Sequence, residues 1–107
     1  MNFYNNINEI ERANGLAGYH FFEEGSKRFF RSRILSEVYG GRYFITSEQF
    51  VSSYGEVAPR QYTIRRADGE GHVASVGAFN SYRSAAEARR VIMQLLEEEK
   101  KEGLAGE

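Results

Sequence analysis

The sequence predicts an α+β fold in a single small domain. An antiparallel sheet of about four strands, built from two hairpins, is packed by a long C-terminal helix, and a short helix precedes it. Three observations carry this. "RQYTIRRADGEGHVASVGAF", residues 60–79, alternates apolar and polar side chains on either side of a glycine-rich turn. "SAAEARRVIMQLLEEEKK", residues 84–101, carries one apolar stripe at helical spacing. The chain has 107 residues and 41% hydrophobic content, the size and composition of one globular domain.

The elements follow in order. "NNINEIERANGLAG" predicts the first helix: Asn5 or Asn6 suits the N-cap, Glu9 and Glu11 the first turns, and Gly15 or Gly18 the stop. Its apolar stripe, Ile7, Ile10 and Ala13, is narrow, which places it at the edge of the core. "YHFFEEGSKRFFRSRI" fits either a hairpin turning at 24–26 or a short helix capped by Ser26. Paired rings without alternation favour the short helix. "ILSEVYGGRYFITSEQF" predicts a hairpin, since Gly40-Gly41 tolerates the positive φ of a tight turn between strand formers. Residues 52–60 form a loop holding the only proline. In the 60–79 hairpin, Tyr62 and Ile64 point one way and Gln61, Thr63 and Arg65 the other, with a return strand from His72 to about Phe79. Ser84 and Glu87 make a capping box for the last helix, whose stripe is Ala85, Ala88, Ile92, Leu95 and Leu96. Gly103 ends it, and residues 103–107 are expected to fray. The one domain therefore spans 1–107.

Composition excludes some chemistry. With no cysteine, neither a disulfide nor a thiolate nucleophile can form. The apolar runs are far shorter than a membrane span, and "MNFYNNINEIER" lacks the pattern of a signal peptide, so a soluble, cytoplasmic protein with no membrane partner is expected. The net charge of −1 argues against a non-specific nucleic-acid coat. It is unevenly spread, however. Residues 25–66 hold eight basic against three acidic groups, and 97–107 hold five acidic against two basic. Either region can be a working surface. Arg31 and Arg33 on the basic side, and Glu97 and Glu98 on the acidic side, are the candidate partner-binding residues.

No catalytic constellation is legible. His20 and His72 stand outside any nucleophile motif, and His20 with Glu23 and Glu24 lacks metal-ligand spacing. Asp68 and Glu70 sit in a turn that cannot desolvate them. The expectation is a non-enzyme without cofactor or metal. In "KRFFRSR", residues 27–33, the rings of Phe29 and Phe30 are expected to wedge against the sheet, with the charged groups kept in water.

Two resemblances add to this. "YTIRRADGEGHVASVGAFNSYRSAAEARRV" resembles the strand–turn–strand–helix core of sheet DNA-binding domains of the plant AP2 and integrase arm-binding type. That resemblance implies an open sheet face entering the major groove, with Gln61, Thr63 and Arg65 at base edges and Arg60, Arg66 and Arg83 on phosphates. Those families carry further strand arginines where Val73, Ser75 and Gly77 stand here. More broadly, "NEIERANGLAGYHFF", "RFFRSRI", "VYGGRYFITSEQF" and "YTIRRADGEGHVASVGAF" resemble a family of small phage and prophage proteins classed as a domain of unknown function. This resemblance implies an accessory protein in the bacterial cytoplasm. It would bind a host protein or protein complex, CRISPR and restriction effectors included, with nucleic acid as the alternative partner. The oligomeric state is left open.

Overall fold

The computed structural model describes residues 4–25, 32–78 and 81–105. The elements are α1 (Ile7–Leu16), β1 (Arg33–Ile34), β2 (Tyr43–Glu48), β3 (Gln61–Ala67), β4 (Val73–Val76) and α2 (Ala85–Ala105). The strands form one antiparallel meander in the order β1-β2-β3-β4. The α+β architecture is therefore the one the hairpin and helix patterns predict. Among the described residues, no helix is long and apolar enough to cross a membrane.

The helices start with the same device. In α1 the Asn6 Oδ1 accepts the Glu9 N–H at 3.0 Å, and the Glu9 carboxylate accepts the Asn5 N–H at 2.8 Å. In α2 the Ser84 Oγ accepts the Glu87 N–H at 3.1 Å, and the Glu87 carboxylate accepts the Arg83 N–H at 3.1 Å. Each is a capping box closed on the residue before the cap, so two orphan amides are satisfied at each start. α2 runs to Ala105, past Gly103 where it was expected to end. A glycine in a helix interior costs only about 1 kcal/mol, too little to stop a helix already propagating.

The first hairpin turns where expected. Gly40 and Gly41 both have positive φ, 59° and 75°, and Tyr39 and Tyr43 bridge across them. Its outgoing strand lies earlier than the strand formers suggest. Arg33 and Ile34 pair with Ser47 and Thr46, while Ser36–Val38 bend out of the ladder. A Cβ on Gly40 would lie 2.4 Å from Leu96 Cδ2, so the glycine also lets α2 approach. The second hairpin is shorter on its return side than expected. β4 stops at Val76, before Gly77 at φ 75°, and Tyr82 then pairs with Tyr62 in its place.

Both faces of the sheet are covered. On one face Tyr43, Ile45 and Ile64 pack beneath Ala88 and Ile92 of α2, with Val91, Leu95 and Leu96 at the margin. On the other, Phe44 and Ala67 pack beneath Ile10 of α1 and Phe22. Phe21 meets Phe22 and Phe44 edge-on, and Phe22 stacks on Phe44 at 6.1 Å between centroids. All six residues of β2 are buried as a result. The described aromatic wedge is thus Phe21 and Phe22; Phe29, Phe30 and the helix start proposed at Ser26 lie outside the described residues.

Asn14 fastens the second layer. It is buried on α1, donates Nδ2–H to the Gly71 carbonyl at 2.8 Å, and accepts the Phe21 N–H on Oδ1 at 3.2 Å. Gly71 itself has φ 86°, and a Cβ there would meet the Ala13 carbonyl carbon and oxygen at 2.5 Å.

The close approach of α1 to the β3–β4 turn yields a differential test. Gly55 has nearly the same φ, 83°, but a Cβ there meets nothing within 4 Å. Gly55→Ala is expected to cost only the backbone term, about 1–2 kcal/mol. Gly71→Ala adds a clash with backbone that cannot move aside, and it should lower stability by roughly 2 kcal/mol more. Urea denaturation of the two variants measures the difference, and equal losses would contradict the packing of α1 on the turn.

Candidate interaction surface

The face of the sheet turned toward α1 is not uniformly apolar. At the Gln61 end it carries a polar network in place of hydrocarbon. The Glu48 side chain is 1% exposed, and its Oε1 lies 3.2 Å from the Arg65 guanidinium, itself only 13% exposed. Thr46 donates to Glu48 Oε1 at 2.8 Å and accepts the Arg65 Nε–H at 3.0 Å. Thr63 donates to Glu48 Oε2 at 3.1 Å, and Arg65 also donates to the Ser75 hydroxyl at 2.8 Å. The Phe21 ring closes the network from above, with the Arg65 guanidinium carbon 5.2 Å from its centroid. Burial pushes the Arg65 pKa down, and the Glu48 carboxylate beside it pulls it back up. The guanidinium remains charged across the physiological range.

This geometry decides where the sequence-selected residues stand. Thr63 is fully buried and Arg65 is committed to Glu48, so Gln61, Thr63 and Arg65 do not form the open face that the resemblance to sheet DNA-binding domains implies. Alternation reports which residues share a face, and says nothing of what covers it. Arg60 lies on the α2 side, donating to the Ser47 carbonyl at 3.1 Å and hydroxyl at 2.8 Å. Arg66 is exposed on that same side, 5.8 Å from the Tyr43 ring centroid. Arg83 is exposed just before α2, Arg33 on β1, and Glu97 and Glu98 on α2. Arg31 lies outside the described residues. Those that are described are spread over both faces and the rim of the sheet.

At the far end of α2, Glu99 is half-buried and accepts from both Arg42 and Tyr43, pinning the helix to the first hairpin. Tyr39 donates to Glu37 at 2.7 Å and accepts from Arg89 at 2.9 Å, and burial raises its hydroxyl pKa. His20 Nδ1 lies 2.6 Å from Glu23, and the His72 ring packs against Tyr19 at 5.2 Å. The Glu99 and Arg89 contacts join α2 to the first hairpin, whereas His20 and Glu23 pair locally at the surface.

The surface that sequence reading passed over is the β2–β3 connection. It is not an open loop but an arm. The Ala58 N–H donates to the Phe50 carbonyl at 2.9 Å and the Ser52 N–H to the Glu56 carbonyl at 2.8 Å, with Val51 and Val57 bridged. The Ser52 hydroxyl accepts the Glu56 N–H at 3.0 Å and the Tyr54 N–H at 3.3 Å, which closes the tip. Every residue from 50 to 59 is exposed. Phe50 is 43% exposed, Val57 54% and Tyr54 92%. The available signal was four large apolar residues, Phe50, Val51, Tyr54 and Val57, inside a stretch otherwise rich in serine, glycine and proline.

The buried pair predicts a non-additive mutant cycle. Glu48→Ala leaves the Arg65 charge buried without its carboxylate, and a loss of about 3 kcal/mol is expected, the low end for a broken internal pair because Arg65 keeps some solvent. Replacing both, as Glu48→Leu with Arg65→Met, should recover most of that loss. Denaturation midpoints decide; a double variant as unstable as the single one would contradict the network.

Neither a curated protein nor a solved structure matches the chain. A family model does match, over residues 6–93, a span that takes in α1, the whole sheet, the arm and the first part of α2. The chain therefore belongs to the family of unknown function DUF7447.

Proposed function

We propose that this chain is a non-enzymatic binding protein that acts by protein–protein contact, and that the arm at residues 50–59 is the contact. The observation that carries the reading is the arm's exposed apolar surface, held in a hydrogen-bonded ribbon beyond the end of the sheet. Apolar surface gathered at one place on a small protein marks an interaction site more often than scattered single residues do. Tyr54 is the natural anchor: a large amphipathic ring at the tip, with few torsions to freeze on binding. Within the arm Glu56 is the one charged residue, which suits an apolar pocket on a folded partner better than a phosphate backbone. The resemblance to phage and prophage proteins supports a host protein complex as the target, a defence effector of the CRISPR or restriction type among them.

A photo-reactive amino acid placed at Tyr54, and separately at Glu98 on α2, tests the proposal in bacterial lysate. A discrete adduct to one protein is expected from position 54 and not from 98. The paired change Val51→Ser with Val57→Ser should abolish that adduct while leaving the melting temperature nearly unchanged, because both side chains are exposed. An adduct from position 98 alone, or tight and steeply salt-dependent binding of labelled duplex or single strands, would overturn it.

A further inference from the structure

The two edges of the sheet are finished differently. β1 is only two residues long and carries Arg33, which blunts it against pairing. β4 runs for four residues, Val73–Val76, with no charge and no proline. Its inner side is paired with β3 in the register Arg66↔Ala74 and Arg65↔Ser75. The Asp68 N–H donates to the His72 carbonyl at 3.0 Å, so 68 and 72 form a hydrogen-bonded pair. Such pairs alternate along an antiparallel ladder. Ala74 and Val76 therefore bond inward, and the N–H and C=O groups of Val73 and Ser75 point out of the sheet. Among the described residues these outward groups meet no backbone partner. Ala74 and Ser75 are exposed.

We infer that β4 is a self-association edge, and that its occupant is the β4 of a second copy, paired antiparallel about a twofold axis at Ala74. Three features fit that occupant. The outward donors and acceptors lie at positions 73 and 75, so the twofold sets Val73 against the second copy's Ser75 and the reverse. Each of these pairs can exchange both bonds. Ala74 then faces its own counterpart in the closely spaced type of pair, where a methyl group permits the approach and a long side chain crowds it. The charges also complement. The acidic turn with Asp68 and Glu70 lies before β4, and Arg83 follows Tyr82, which pairs with Tyr62 further along the same side of β3. An antiparallel twofold directs the acidic turn of each copy toward the Arg83 end of the other. Pairing this way joins two four-stranded sheets into one continuous sheet with an isologous interface. The arm plays no part in it, so this inference stands apart from the proposed function.

The test uses the full chain. Ala74 is exposed and keeps its inward backbone bonds whatever its side chain, so a charged residue fits there; Arg66 stands opposite it on β3, so lysine meets a like charge within its own copy and glutamate an opposite one. Sedimentation equilibrium over a wide concentration range is expected to show a dimer for the native sequence. Ala74→Lys and Ala74→Glu each set like charges face to face across the axis, and each should raise the dissociation constant by roughly fivefold. Mixing the two variants should restore the dimer, because lysine then faces glutamate. Thermal melts, read beside these, show that both variants remain folded. A native chain that stays monomeric throughout overturns the inference. So does a dimer indifferent to both variants, or a mixture no tighter than either variant alone.

Discussion

Strand β2 has no solvent face, and the rest of the structure follows from that constraint. Its six residues alternate between the α2 side and the α1 side, and all are buried. A chain of this length must therefore cover a central strand pair twice. α2 covers one face through an ordinary helix-on-sheet contact. The other face is covered by a short helix and two phenylalanines, a thin layer that needs fastening. Asn14 supplies the fastening by bonding to Gly71 and Phe21 at once. Its partners are backbone groups, so their positions matter more than their side chains. That is why a glycine at φ 86°, with room for no Cβ, sits beneath α1.

The thin layer has a second consequence. Phe44, Ile10 and Phe22 fill one end of the inner face, and the other end is left to Thr46, Thr63, Glu48 and Arg65. A buried ion pair costs desolvation and regains it only with good geometry and further hydrogen bonds. Here each carboxylate oxygen has a threonine hydroxyl, and Arg65 has Thr46, Ser75 and the Phe21 ring. The network is specific about register, because sliding β2 against β3 would separate Glu48 from Thr63 and Arg65. Residues that look like a reading surface in one dimension thus act as an internal lock. The two contacts proposed above therefore lie at the rim: the arm beyond β2 and β3, and the outer side of β4.

The sequence by itself determined the tight turns and the helix starts. Gly40-Gly41 and "ADGEG" announce their turns through backbone freedom, a property of those residues alone. Asn6 with Glu9 and Ser84 with Glu87 announce their helix starts through bonds that reach only a few positions along the chain. Tertiary structure alone decided what lies against what. Gln61, Thr63 and Arg65 share a face by alternation, but α1 and Phe21 arrive there from some forty residues away in sequence. The partner of Glu48 depends on the β2–β3 register, and the lever arm of Tyr54 depends on pairing that continues past the sheet. Local rules act over a turn of helix or a pair of strands. Burial is settled only when distant segments compete for the same apolar surface, and no single stretch of this chain records the outcome of that competition.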